Sequence, residues 1–396
     1  MYKRGPSAVK ILLVHCHYRL PGGEDAVFAA ERALLERRGH QVIVYERSNE
    51  EAAHGLPKAL LPLHAVWNHA AARDIKHIIK IQNIDAVHIH NTLLLLSPAV
   101  VRAAKSTGVP VVQTLHNFRL FCPNGILLRD GRVCEDCPRH GLSCAIRHRC
   151  YRGSLAQTLV VAAAYGLHRR LGTWRGVTMV ALTEFDRQKL LEFNRQYPMF
   201  DADRLVVKPN PVCVPSGPVN PWGDRKNQML FAGRLEELKG LRTVLEAWRL
   251  LGDAAPALLV AGKGPLGDWA RAQNLPNVQF LGQLPRAELH ARMAESRAVV
   301  AASLCYESFA LVPAEAHALG TPVLASGLGN VGASVQPGFD GLCFAPGDAN
   351  ALAGAVRAFG QMSFDCNAIA ARARRTYSED ENYNALMRFY TKGTIQ

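Results

Sequence analysis

Two carboxylates eight positions apart, Glu307 and Glu315, bracket the segment Glu-Ser-Phe-Ala-Leu-Val-Pro-Ala-Glu. The apolar run before it, Ala298 to Ala302, has strand character, and Pro313 suits the first turn of a helix continuing through Ala314 to Leu319. Glu307 is therefore expected in a loop at the mouth of a parallel sheet, where open α/β folds bind ligands, with Glu315 on the adjoining helix. A carboxylate accepts hydrogen bonds from neighbouring hydroxyls, and the N–H groups at a helix start suit a phosphate. A sugar diphosphate carries both kinds of group. Upstream, the segment from Phe231 to Gly240 closes a strand, Asn227 to Ala232, and opens another helix, so Arg234 and Lys239 are expected at the same sheet edge. Two fixed cations there can hold a pyrophosphate and stabilise the charge that grows on it as it departs.

These two segments and five others, taken in order, resemble the retaining glycosyltransferases of GT-B architecture, family 4. The others are Pro21-Gly22-Gly23-Glu24, Thr114-Leu-His116-Asn117, Ala181-Leu-Thr183-Glu184-Phe185, Pro209-Asn210-Pro211 and Gly262-Lys-Gly264-Pro265. The resemblance covers nearly the whole chain. It implies two Rossmann-like α/β domains facing across a cleft: residues 1–212 for the acceptor, residues 213–376 for a nucleotide sugar, and 377–396 as a helix packing back on the first domain. It implies transfer of a sugar from a UDP- or GDP-sugar to an acceptor hydroxyl with retained configuration and no catalytic metal, in polysaccharide or glycoconjugate assembly.

Residue by residue, Arg234 and Lys239 match the family's diphosphate-binding cations, Glu307 the glutamate on the donor sugar hydroxyls, and Glu315 the one on the ribose. Ser308, Phe309 and Ala310 would face phosphate or sugar, position 310 being more commonly Gly in the family. His116 matches a histidine near the reacting carbon. Gly22 and Gly23 would let the chain pass close to the donor phosphate, and Gly233, Gly262 and Gly264 would border the nucleotide. Bland alternatives exist: Arg234 and Lys239 paired on the surface with Glu236 or Glu237, Glu315 serving only a helix dipole, and the Gly22-Gly23 pair required by loop packing. An epimerase or a glycogen-synthase-like enzyme of the same architecture is the alternative within this class.

The elements that must position these residues follow from periodicity. Strands are expected at Val9 to His15, Gln41 to Tyr45, Ala86 to His90, Pro110 to Leu115, Val177 to Leu182 and Leu205 to Lys208, then at Gln228 to Ala232, Ala257 to Ala261, Val278 to Gly282, Ala298 to Ser303, Pro322 to Ala325 and Gly341 to Phe344. Helices fill the intervals, among them Asp25 to Arg38, Lys58 to Lys80, Ser154 to Leu171 and Tyr377 to Thr391. The proline-rich stretch from Pro209 to Gly223 reads as the linker. His88 and His90 share one face of an apolar strand and are read as packed or hydrogen-bonded side chains. Asp201-Ala-Asp203 imitates a metal-binding D-x-D but lies in a polar loop.

Residues 118–153 fit neither period and read as a cysteine-rich insertion. Five of the chain's ten cysteines fall there: Cys122, Cys134, Cys137, Cys144 and Cys150. Cys134 and Cys137 form a C-x-x-C pair, which with Cys122 and Cys150, or Cys144 as substitute, could hold a structural zinc; unligated thiols or disulfides are the alternatives. A fully thiolate-ligated zinc leaves no position open for catalysis.

The chain has 396 residues and a formal charge of +13. No apolar run reaches the ~18 residues of a membrane span, so a cytoplasmic location is expected. Basic residues concentrate between Arg139 and Arg175, interleaved with Leu155, Leu167, Leu171 and Trp174. That segment could be a solvated face, or could rest on an anionic membrane carrying a lipid-linked acceptor, each Lys or Arg contributing roughly 1 kcal/mol. Its charge and cysteines also frame a reading of a different class, a zinc-dependent nucleic-acid-binding protein. That reading leaves the paired glutamates and the Arg234–Lys239 segment without a task, so nucleic acid is not the expected partner.

Overall fold

Short aliphatic runs that are apolar on both faces can be satisfied only between two layers of helices, which is the environment of a parallel sheet. The computed structural model describes residues 8–18, 22–50, 60–215 and 217–391. Pro21 of the first motif, and the expected helix start at Lys58, lie outside the described residues. The chain divides into two compact units: Met1–Leu127, Cys134–Asn210 and Glu379–Gln396 form the first, and Leu128–Val133 and Pro211–Ser378 the second.

The strands of the first unit's sheet are β1 (Lys10–His17), β2 (Gln41–Ser48), β3 (Ala86–Ile89) and β4 (Val111–Thr114). A small antiparallel hairpin, β5 (Leu128–Arg129) and β6 (Arg132–Val133), follows. Then come β7 (Thr178–Ala181) and β8 (Leu205–Val207), which complete a six-stranded sheet in the order β2-β1-β3-β4-β7-β8 with every pairing parallel. The second unit holds β9 (Lys226–Ala232), β10 (Ala257–Ala261), β11 (Val278–Gly282), β12 (Ser296–Ala301), β13 (Val323–Ser326) and β14 (Gly341–Phe344). Their order is β11-β10-β9-β12-β13-β14, all parallel, the doubly wound dinucleotide-fold order.

In each sheet one strand has its two neighbours reached by oppositely directed connections, β1 between β2 and β3, and β9 between β10 and β12. Loops leaving the carboxyl ends of such strands diverge and leave room for a ligand. In the second unit the helix Leu241–Leu251 buries Leu241, Val244, Leu245, Trp248 and Leu251 against the sheet, at the three-and-four spacing of an amphipathic helix. In the first unit the last helix, Glu379–Thr391, packs Tyr383, Leu386, Met387 and Tyr390 against Ile11, Leu13, Phe28 and Leu35.

Two expectations are corrected. In place of one helix from Lys58 to Lys80 there are two, Leu61–Val66 and His69–Gln82. Trp67 is extended, and the Asn68 side chain accepts from Ala71 N at 2.9 Å, capping the second helix. An apolar periodicity survives such a break because the cap residue occupies only one register position. Residues 118–153, which fit neither period in the sequence, do contain regular structure: besides the hairpin there are short helices at Asp136–His140 and Ser143–His148.

Candidate functional site

In the second unit the loops leaving β9 and β12, neighbours at the switch point, are joined by an ion pair. Lys239 Nζ lies 2.8 Å from Glu307 Oε1, and the Ser303 hydroxyl donates to the same oxygen. Burial works against the charge on Lys239, but the adjacent Glu307 carboxylate outweighs it and holds the ammonium above its ordinary range. Gly240 makes the approach possible. Its φ is +71°, and a Cβ there would stand 2.0 Å from the carbonyl oxygen of Ala302, just past β12. On the other side the Asn330 side chain donates to the carbonyls of Glu307 and Ser308, the latter at 3.1 Å. Glu307 is thus fixed through both its side chain and its backbone.

The segments that leave β9 and β10 line a recess of about 260 Å³, with Gly233, Arg234, Gly262, Lys263 and Gln283 among its lining residues. Gly262 abuts the Gly233 backbone so closely that a Cβ would fall 1.9 Å from its carbonyl oxygen, and Gly264 lies likewise against Leu235. A side chain is therefore excluded at both glycines, while Leu284 and Leu289 also line the recess. Arg234 reaches solvent, 66% exposed, with Nη2 3.0 Å from Glu236 Oε2, so the anticipated surface partner is present. Glu315 lies on the helix Leu311–Ala318 and is buried, with Arg286 Nη2 at 2.7 Å and His290 Nε2 at 3.4 Å. Pro313 is the third residue of that helix, where its missing N–H costs no intrahelical bond. Ala310 precedes the helix at φ −80°, a conformation that does not demand glycine, and Phe309 packs edge-on against Tyr377.

In the first unit His116 follows β4 and lines a small polar recess with His90, Asn91, Thr92, Asn117, Arg119 and Tyr165. His116 Nε2 is 3.0 Å from His90 Nδ1. Burial above all pushes His116 down to about 3, so the ring is neutral near pH 7. Behind it lies a group of residues the motifs did not single out. Glu31, wholly buried on the first helix, accepts from Lys208 Nζ, with His88 and His90 at 3.7 Å and 3.5 Å from its other oxygen. Besides the His88–His90 pair on one strand face, a lysine closing the apolar strand before Pro209 is a sequence signal that could have pointed here.

The Gly22-Gly23 pair sits at the start of the helix Gly23–Arg37 and is exposed. A Cβ at Gly23 would meet nothing within 4 Å, so protein packing does not require these glycines. Asp25 accepts from the Gly22 N–H at 2.7 Å and lies 2.9 and 2.8 Å from ring nitrogens of His15 and His17. Burial pushes the Glu24 carboxyl up to about 8 against the pull of Arg119.

Among the described residues, the three-residue groups with ligand atoms within 4.8 Å of one another are His15–His17–Asp25 and Glu31–His88–His90. The first already saturates Asp25 with N–H donors, the second already holds the Lys208 ammonium, and no thiol belongs to either. Cys122, Cys144 and Cys150 nevertheless stand close enough to Cys137 that, after burial, their charge pushes its thiol further up. Asp201 accepts from Gly176 N at 2.7 Å, a loop-closing role.

Two doubly wound parallel units, each with a recess at the carboxyl ends of its strands, define the GT-B class. Residues 21–214 match the model of Glycosyltransferase Family 4, and residues 218–376 that of Glycosyl transferases group 1. The chain therefore belongs to the group 1 glycosyltransferases.

A glycogen synthase of Mycobacterium tuberculosis is 39% identical over 137 residues, 33% of this chain and 33% of that protein. A D-inositol 3-phosphate glycosyltransferase of Mycolicibacterium paratuberculosis is 32% identical over 182 residues, 42% of this chain and 40% of that protein. The chain thus matches well under half the length of these relatives. Among solved structures, the Anabaena HepE protein in complex with UDP superposes with a TM-score of 0.63 at 17% identity, covering 97% of this chain and 100% of that one. The lipopolysaccharide outer core galactosyltransferase WaaB gives 0.66 at 15%, covering 96% and 99%.

The buried imidazoles make an acid-stability prediction. Burial lowers His88, His90 and His116 below their usual 6.5. Below that value the unfolded chain takes up protons that the folded chain does not, so stability falls as pH drops from about 6.5 towards His116's value near 3. Urea unfolding between pH 6.5 and 4.5 should show this loss. In His116→Gln the slope should be shallower by up to about 1.4 kcal/mol per pH unit, and an unchanged slope would contradict the buried, neutral assignment.

Proposed function

We propose that the protein transfers a sugar from a nucleoside-diphosphate sugar to an acceptor hydroxyl with retention of configuration. The observation that carries this reading is the Lys239–Glu307 pair at the β9/β12 switch point, on the same loop after β9 whose Gly233 and Arg234 line a recess with Lys263. Glycine-lined strand ends admit a pyrophosphate, and the two fixed cations Arg234 and Lys239 would neutralise it as the glycosidic bond to phosphate breaks. Arg forks onto two oxygens and Lys supplies a point charge, so neither replaces the other. Glu307 would accept hydrogen bonds from the sugar hydroxyls. Glu315, held by Arg286, would serve the ribose. His116 would serve the transferred sugar or the acceptor, and Gly22 and Gly23 would let the chain pass close to the donor phosphate. Attack from the face the diphosphate leaves gives retention, and positioning with charge neutralisation supplies most of the rate.

The glycogen synthase and D-inositol 3-phosphate glycosyltransferase relatives support this reading by their activities, and HepE by its bound UDP. The acceptor is proposed to be a saccharide or lipid-linked molecule in polysaccharide or glycoconjugate assembly.

The test is turnover of UDP- and GDP-sugars. Lys239→Ala and Glu307→Gln should each lower kcat/KM about 10²- to 10³-fold while the protein stays folded. The parent nucleotide should raise the Tm of the wild type, and raise that of Lys239→Ala less. Full activity in either variant would rule the assignment out.

A peripheral membrane position is proposed on a separate observation. Among the described residues no helix is long and apolar enough to cross a membrane. The helix Leu155–Arg170 leaves Leu155, Leu159 and Leu167 exposed, four or eight positions apart, and Leu171 follows at the same spacing. Leu63 is exposed on the neighbouring short helix Leu61–Val66, and so is Leu60 just before it. With Arg147, Arg149, Arg169 and Arg170 nearby in sequence, this stripe suits an anionic bilayer surface at the cytoplasmic face. Leu159→Glu with Leu167→Glu should abolish co-sedimentation with phosphatidylglycerol-containing vesicles. Binding that survives both changes would count against this face.

A further inference from the structure

His116, which lines the recess after β4, is backed by a relay of buried polar side chains, and their chemistry fixes where its single proton sits. His90 Nε2 and Glu31 Oε2 are both buried, neither has a hydrogen-bond partner, and they face each other at 3.5 Å. The other carboxylate oxygen of Glu31 is taken by the Lys208 ammonium. Although burial opposes its charge, Lys208 foremost, and then the imidazole of His90, keep Glu31 below the usual carboxylate range, so it is ionised and can only accept. His88 does not compete as a donor: its Nδ1 is 2.7 Å from the Tyr390 hydroxyl and its Nε2 is 2.8 Å from the Thr114 hydroxyl.

The orphaned pair is complementary in one way only, with the proton on His90 Nε2 directed at the carboxylate. His90 is neutral because burial, reinforced by His88, outweighs the pull of Glu31. A neutral imidazole protonated on Nε2 carries a lone pair on Nδ1. That lone pair faces His116 Nε2 at 3.0 Å, so His116 must carry its own proton on Nε2. The opposite arrangement would set His90's lone pair against an ionised carboxylate inside the protein, leaving two buried acceptors face to face.

We propose that Glu31 and His90 are positioning residues that lock His116 in its Nε2–H tautomer, leaving Nδ1 as a permanent hydrogen-bond acceptor for a substrate hydroxyl. His116 Nδ1 makes no hydrogen bond among the described residues and is not sealed from solvent, while the ring lines the polar recess after β4. The charged and titratable groups acting on the ring are Glu31, Lys208, His15 and Asp25. A fixed acceptor there would receive a hydroxyl or protonated amine and would reject phosphate oxygens and carbonyls, which have no proton to give. The effect on turnover rests on the glycosyl-transfer reading above. The tautomer does not.

The experiment is a long-range proton–nitrogen correlation spectrum of the full chain labelled with ¹⁵N-histidine. His116 is assigned by the signal that disappears in His116→Gln. The wild type at pH 7 should show His116 neutral, protonated on Nε2 and bare on Nδ1, and unchanged down to about pH 5. In His90→Phe, which keeps ring volume but removes the acceptor, His116 should become a tautomer mixture. kcat should fall about a hundredfold while the Kd for UDP stays within twofold. A wild-type His116 protonated on Nδ1, or cationic at pH 7, overturns the proposal, as does an unaltered tautomer in His90→Phe. Should that variant not fold, the wild-type spectrum alone decides. It requires no substrate, so its failure is separate from failure of the proposed reaction.

Discussion

The contact on which the second unit's site depends is the ion pair between Lys239 and Glu307. It ties together two loops that leave adjacent parallel strands in divergent directions, and it does so where any ligand of a doubly wound sheet must lie. Its geometry is over-determined: Gly240 lets the chain lie on the Ala302 carbonyl, Ser303 donates to the Glu307 carboxylate, and Asn330 holds the Glu307 backbone. A partly buried pair contributes little net stability, because desolvation offsets most of its attraction. Its value is preorganisation. A pyrophosphate entering the recess would find a cation already in place and a carboxylate already aimed, and would need only to exchange one partner of the lysine.

The first unit solves a different problem. It buries a full ion pair, Lys208 with Glu31, under a row of imidazoles at the ends of β3 and β4. The last helix closes over this cluster, with Tyr390 on His88 and Tyr383 on His40. Removing either member of such a pair strands a charge in the interior, which is far more damaging than the pair is stabilising. The cluster therefore reads as a device that fixes protonation and orientation at one largely buried ring, His116, whose edge lines the recess after β4.

How much of this the sequence discloses depends on the range of the interaction. The twelve strands of the two sheets are local patterns, and Ala257–Ala261, Val278–Gly282 and Gly341–Phe344 have the ends expected from periodicity. The loop residues Lys239 and Glu307 are legible because strand-end position plus residue type is itself a signal. The break at Asn68 is not, since a cap residue leaves the apolar spacing intact. Nor is the Glu31–Lys208 contact, whose members are 177 positions apart and each resemble a surface residue until the fold brings them together. Glu315 lies between these cases: its helix is readable, its burial against Arg286 is not.

The most direct test of the central claim is a crystal structure of the full chain with UDP. The β-phosphate should lie within hydrogen-bonding distance of Lys239 Nζ and over the Gly233–Gly262 backbone, with the Lys239–Glu307 contact opened or shared. UDP bound elsewhere, with that ion pair unchanged, would contradict it.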